Sequence, residues 1–176
     1  TGATYKLTGE FFGNPTGLLI ARRLRDDGQR VRVLARAPAR AAPRLGPGVD
    51  IVGGDVTAAA TLIRAVRMPR DFIFTAGVRS GRPARESLVR ATEYQGVINT
   101  LGAAVAERFE GRFLYMTSIG VTKRSLATVL LNAYKGNTLR WRRRAEDAIR
   151  HAGLDYTIIR AAFLLNRSGG RHAIEV

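Results

Sequence analysis

Residues 15–36 read PTGLLIARRLRDDGQRVRVLAR, and the two halves of this stretch follow different periods. Leu18, Ala21 and Leu24 recur at helical spacing. Arg22/Asp26 and Arg23/Asp27 are opposite charges four residues apart, which supports a helix over Leu18–Asp27. Gly28 follows as a C-terminal stop. Val31–Ala35 (VRVLA) is then a short, β-branched run ending at Arg36. A helix that feeds a short apolar strand through a glycine turn is half of a βαβ unit, so this stretch predicts an α/β fold.

The same alternation continues toward the C-terminus. Asp50–Val52 leads into Gly53, Gly54 and Asp55, and Phe72–Thr75 (FIFT) into Ala76-Gly77. Phe113–Thr117 (FLYMT) leads into Ser118, and Tyr156–Ile159 (YTII) into Arg160. Short, nearly all-apolar runs that end in small or polar residues read as buried parallel strands. Helices are expected over Ala58–Val66, Glu86–Phe109 and Leu139–Ala152. In the long one, Leu88, Ala91, Val97, Leu101, Ala104 and Val105 are available for a buried face. In the last, Trp141, Ala145, Ala148, Ile149 and Ala152 form one stripe, with Arg143, Arg144, Asp147 and Arg150 facing water. Arg79–Arg85 reads as a loop, and no internal repeat is present. The expected architecture is a doubly wound parallel sheet with right-handed crossovers. Such sheets bind ligands beyond the carboxyl ends of their strands, at the switch point. Those ends carry Arg36, Asp55, Ala76-Gly77 and Ser118.

Length and composition bound the rest. A chain of 176 residues that is 45% hydrophobic is expected to form a single domain over 1–176. Zero cysteines exclude a disulfide scaffold, a Cys zinc site, an iron–sulfur cluster and a cysteine nucleophile. Two histidines, His151 and His172, are too few for most His-based metal sites, and no metal is expected. No apolar run reaches transmembrane length, and no basic region precedes an apolar stretch at the start, so a soluble, cytoplasmic protein is the expectation. Lys and Arg number 29 against 14 Asp and Glu, a formal charge of +15. Only Lys6, Lys123 and Lys135 are lysines. An Arg excess with abundant Ala and Gly is what GC-rich coding produces, which reads as solvated surface. A nucleic-acid surface is the sharper reading of the same charge. However, aromatics are only 7% and do not interleave with the arginines.

The glycine-rich start allows two registers. Thr1-Gly2-Ala3-Thr4 is either the turn after a strand that precedes it, with an insertion of about ten residues in a phosphate loop, or part of the first strand itself. In the second register Ala3–Leu7 (ATYKL) is the strand, Thr8-Gly9 opens the turn, and Gly9, Gly13 and Gly17 line the phosphates. Such turns bring backbone close to a pyrophosphate at the positive end of a helix, here near Thr16. The fold physics favours the second register, because a sheet without its central strand cannot close its hydrogen-bond ladder, whereas sequence resemblance favours the first, and both stay open.

Taken together, TGAT at the start, PTGLLIARRLRDDGQRVRVLAR at 15–36, GGDVT at 53–57, FTAG at 74–77, FLYMTSIG at 113–120 and RAEDAIRHAGLDYTIIR at 144–160 resemble the NAD(P)-binding short-chain dehydrogenase/reductase superfamily, in its atypical, NmrA-like branch. The resemblance covers nearly the whole chain and implies a Rossmann fold. It implies that the glycine turn holds the pyrophosphate, that Asp55-Val56 sits by the adenine, that Ala76-Gly77 lies along the dinucleotide, and that Thr117-Ser118 borders the nicotinamide. Arg36 stands where an acidic residue would favour NAD. Its planar fork, assisted by Arg40, suits a 2′-phosphate instead, so NADP is the expected cofactor, with NAD the alternative.

The resemblance breaks at the chemistry. Standard members use a Ser, a Tyr, and a Lys four residues after that Tyr. Ser118 fits the Ser position and Tyr134 is the one Tyr in the right stretch. The position four residues later is Thr138, with Lys135 adjacent to the Tyr instead. Many atypical members keep a Lys four residues before the glutamate that corresponds to Glu146, and here that position is Arg142. Arginine binds ribose or phosphate but does not relay a proton near pH 7. Lys135 and Arg142 are seven apart and expected on one helical face. Relatives continue past the strand at Tyr156–Leu165 into a small substrate-binding part, so that part is expected to be truncated. The leading expectation is an NADP(H)-preferring reductase-like protein that transfers hydride to a small carbonyl, quinone or flavin-like acceptor. The alternatives are a non-catalytic NADP(H) sensor that signals through a protein partner, and an arginine-rich nucleic-acid-binding module.

Overall fold

The computed structural model describes residues 4–8, 15–67, 70–78, 84–121 and 126–161. Six strands form one sheet in the order β3-β2-β1-β4-β5-β6, every pair parallel. They are β1 (Thr4–Thr8), β2 (Arg30–Ala35), β3 (Val49–Gly53), β4 (Asp71–Phe74), β5 (Arg112–Ser118) and β6 (Asp155–Ala161). This is the Rossmann order, with its switch point between β1 and β4.

β1 settles the register of the start. Tyr5 pairs with Val31 on one side and Asp71 on the other, and Leu7 with Val33 and Ile73. The chain therefore supplies its own central strand, one residue on from Ala3–Leu7, and the ladder is closed on both sides. Gly2, Gly9 and Gly13, assigned to the phosphate turn, lie outside the described residues. α1 (Pro15–Asp26) follows β1.

Helices cover both faces. α1 and α2 (Pro38–Leu45) bury Leu18, Ala21, Ala41 and Leu45 against Val31, Val33 and Ala35 of β2. On the opposite face α3 (Ile63–Val66), α5 (Gly96–Ala106) and α7 (Thr138–His151) bury Ala65, Val97, Leu101, Ala145 and Ile149 against Phe72, Phe74, Phe113 and Tyr115. The Phe72 and Phe113 rings stack with centroids 5.3 Å apart. Burial on alternate sides of each strand is what two covered faces require.

Several expectations are corrected. Ala58–Val66 is not one helix but a 3-10 turn (Ala59–Thr61) followed by the short α3. Glu86–Phe109 is divided into α4 (Glu86–Val89), a π-helical segment (Arg90–Gln95) and α5. Val89 and Glu93 stand eight and four residues before Val97 and share its buried face, so Leu88, on the opposite side, and Val105, at the flank, are exposed while Val89, Thr92, Glu93 and Thr100 are buried. Asp26 pairs with Arg25 rather than Arg22, which donates to the Arg44 carbonyl; Arg23–Asp27 forms as expected at 3.0 Å. α6 (Leu126–Tyr134) and α7 are separate helices, because Gly136 and Asn137 both take positive φ, 61° and 59°. That break overturns the expectation that Lys135 and Arg142 share a helical face: Lys135 lies in the turn between the helices.

Candidate functional site

The crevice lies beyond the carboxyl ends of β1, β2, β4 and β5. At its centre β4 runs into Thr75, Ala76 and Gly77, all buried. A Cβ placed on Gly77 would stand 3.3 Å from Arg142 Nη2 and 3.4 Å from Glu93 Oε1. Glycine is thus the residue that leaves this floor shallow and close to those two side chains.

Glu93 and Arg142 form the polar heart of the site. Glu93, 2% exposed, sits in the π-helical segment. Its Oε1 accepts from the Val78 amide at 2.9 Å and its Oε2 from Arg142 Nε at 2.5 Å. Arg142 Nη1 donates to Ser118 Oγ at 3.2 Å. Burial opposes the Arg142 charge, but Glu93 outweighs it and raises the guanidinium's pKa further. Sequence reasoning missed Glu93. Its only local signal is a carboxylate amid an otherwise helical run, and a π bulge cannot be read from periodicity. Beneath this pair, burial pushes the Tyr115 hydroxyl well above the ordinary phenol value, so it stays neutral.

Thr117, 3% exposed at the end of β5, carries a buried hydroxyl with no hydrogen-bond partner among the described residues. A buried orphan of this kind at a strand's carboxyl end is what a bound polar ligand would satisfy. α1 likewise begins with no acidic residue in its first turn, with Thr16 half-buried and Gly17 buried. An N-terminus of a 12-residue helix kept clear of carboxylates suits a pyrophosphate. These features fit a dinucleotide along the crevice.

At the other end, Arg36 follows β2 and is exposed, as is Arg40 in α2. Arg36 Nη1 stands 3.9 Å from Asp55 Oδ2, an ion-pair contact rather than a hydrogen bond. The Asp55 Oδ1 accepts from the Thr57 amide and hydroxyl, both at 2.8 Å. Val56 is buried, and its carbonyl accepts from Asn99 Nδ2 at 3.0 Å. The Asp55-Val56 turn is thereby fixed as the rim beside Arg36.

The structure thus gathers Gly77, Ser118 and Arg142, with Thr117 and Ala76 adjacent, and places Arg36 and Asp55 at the rim. Tyr134 stands apart: it is the last residue of α6 and 56% exposed. Ser118 is engaged by Arg142 instead. An open cleft lined by Arg70, Glu107 and Gly111 lies at the amino ends of β4 and β5, away from this crevice.

Fold and crevice together define a Rossmann dinucleotide-binding protein. The chain belongs to the NAD(P)H-binding family, whose pattern it matches over residues 15–176, and its cofactor is a nicotinamide dinucleotide. It is 40% identical over 68 residues to Protein TIC 62, chloroplastic, of Oryza sativa subsp. japonica, and 35% identical over 68 residues to the Pisum sativum protein of the same name. Those matches take in 39% of this chain but only 13% and 12% of the two relatives. Among solved structures it is similar to a putative NAD-dependent epimerase/dehydratase from Bacillus halodurans (TM-score 0.73, 18% identity, 93% of this chain and 72% of that one). It is also similar to the Bordetella bronchiseptica enzyme WbmG in complex with NAD (TM-score 0.71, 19% identity, 99% and 57%). The shared feature is the Rossmann fold. Among the described residues no helix is long and apolar enough to cross a membrane.

Proposed function

We propose that this chain is an NADP(H)-preferring, reductase-like domain whose hydride acceptor is quinone- or flavin-like rather than a simple carbonyl. The observation that carries the reading is the Glu93–Arg142–Ser118 chain of contacts. The bound dinucleotide supplies hydride at its nicotinamide. Reducing a carbonyl also demands a proton delivered to the new alkoxide, normally from a tyrosine beside a lysine. Here Tyr134 is exposed on α6, and Arg142 is a fixed cation held by Glu93. Such a site can orient a ribose or an acceptor oxygen through guanidinium and Ser118 hydrogen bonds, but it does not cycle a proton. A flavin- or quinone-like acceptor stabilises the incoming electron pair by its own delocalisation.

Arg36, supported by Arg40, accounts for the NADP preference through a planar fork for the 2′-phosphate. Gly2, Gly9, Gly13, Thr16 and Gly17 would line the pyrophosphate, and Asp55, Val56, Ala76, Gly77 and Thr117 the rest of the dinucleotide. Ser118 and Arg142 face the nicotinamide end. Tyr134 and Lys135 are set aside as a proton-donating pair. A sensor that binds NADP(H) without turnover is the second reading, favoured by the same fixed Arg142.

NADPH oxidation should be followed with a panel of quinones, flavins and carbonyls. Turnover confined to quinones or flavins is the expected result. Carbonyl turnover that survives Tyr134→Phe contradicts the acceptor assignment through another donor, and carbonyl turnover lost in Tyr134→Phe restores the tyrosine. Binding with no turnover at all selects the sensor.

A further inference from the structure

Four exposed arginines without a carboxylate partner among the described residues lie together, three of them around one ring. Arg23, Arg25, Arg32, Arg67, Arg112, Arg142, Arg150 and Arg160 each pair with a carboxylate. Arg90, Arg140, Arg143 and Arg144 are exposed and pair with none among the described residues. Three of these four surround a single ring. The guanidinium carbons of Arg90, Arg140 and Arg144 lie 5.5, 5.7 and 5.0 Å from the centroid of Trp141. Trp141 is itself 7% exposed, packs on Tyr94 at 5.5 Å, and donates through its indole to Glu86 at 3.0 Å.

This arrangement costs stability locally. Stacking each cation on the ring offsets only part of the repulsion among three like charges. The first turn of α7 also holds Arg140 and no acidic residue, against the direction its dipole favours. Arg140, Arg143 and Arg144 are spaced i, i+3, i+4 and so share a face of α7. Breaking local rules without an internal compensating contact is what a binding surface does.

We infer that Arg90, Arg140, Arg143 and Arg144 form a docking surface for an acidic segment, rich in Asp and Glu, of a partner protein. Three features select this occupant. Four exposed cations on one patch, with no carboxylate partner among the described residues, call for a partner of opposite charge, and guanidiniums take carboxylates in a bidentate fork. The ring's faces are already covered and Trp141 is buried, so no aromatic platform is left for stacking a nucleic-acid base. A second copy of this chain is disfavoured, because a two-fold contact through this face would set the same four cations against one another. The surface uses none of the residues assigned to the dinucleotide, so this inference stands or falls independently of the proposed function.

Trp141 is the one tryptophan of the chain, so its fluorescence reports on this surface alone. The whole chain should be titrated with a decaglutamate peptide and, in parallel, with a ten-nucleotide oligothymidylate. The expected result is a saturable change in Trp141 emission with decaglutamate and tighter binding of it than of the oligonucleotide. Arg90→Gln/Arg140→Gln/Arg144→Gln should weaken the peptide by at least about tenfold. Arg23→Gln/Arg67→Gln/Arg112→Gln removes equal charge elsewhere and should weaken it by less than about twofold. Arg143→Gln touches no ring and leaves the packing alone, so its expected loss of about threefold keeps the test open if the triple variant fails to fold. Equal losses in both triple variants, no change in Trp141 emission, or tighter binding of the oligonucleotide would overturn the inference.

Discussion

Glu93 has two roles at once, and they can be separated by substitution. Glu93→Gln keeps an acceptor for the Val78 amide but leaves the Arg142 guanidinium without its counter-charge. Because Arg142 is mostly buried, we expect a loss of about 2–3 kcal/mol in urea-unfolding stability and weaker dinucleotide binding. If both are unchanged, the pair does not organise the site. Glu146 offers a pH test. Burial pushes its carboxyl up, but hydrogen bonds and charge from Arg160 and Arg150 hold it below the ordinary 4.5. A depressed folded pKa contributes stability that is complete above the unfolded value and is lost as pH falls through the folded one. The acid limb of a melting-temperature profile below the ordinary carboxylate range should therefore flatten in Glu146→Gln. An unchanged limb would mean that other carboxylates govern it.

At the scale of elements, the turn from α5 into β5 depends on Gly111. A Cβ there would fall 1.8 Å from the Arg70 carbonyl oxygen, which is backbone and cannot swing aside. Gly111→Ala should destabilise the fold by about 2–4 kcal/mol, read as a lowered unfolding midpoint with an unchanged slope. β2, β4, β5, β6 and the apolar stripe of α7 were legible because apolar runs and helical spacing are local signals. α2 was not, since PARAAPRL carries Pro38 and Pro43, which count against a helix until Pro38 is seen at its start. The π segment was invisible because one extra residue in a helical turn leaves no mark in the apolar spacing, and Glu93, four residues before the buried Val97, was passed over because it is charged. The places of Arg36, Asp55, Gly77 and Ser118 at strand ends were legible because the strands before them were. Glu93 was not, because its partners come from 15 and 49 residues away in the chain.

For the molecule as a whole, a complete sheet and a cofactor-binding crevice depend on each other. Thr4–Thr8 completes the sheet between β2 and β4. Leu7→Pro removes a ladder donor in a strand bonded on both sides, where proline is not tolerated. A single cooperative melt in the parent chain and a broad, non-cooperative one in Leu7→Pro are expected; identical melts would mean this strand does not close the sheet. Arg36 is proposed to hold the 2′-phosphate of NADP(H) at the rim of the crevice. Calorimetric titration of the chain with NADPH and with NADH, repeated on Arg36→Ala, tests it most directly. The account predicts that NADPH binds more tightly than NADH and that Arg36→Ala weakens NADPH by about tenfold or more while leaving NADH nearly unchanged. Equal binding of the two nucleotides, or NADPH affinity unaffected by Arg36→Ala, would contradict it.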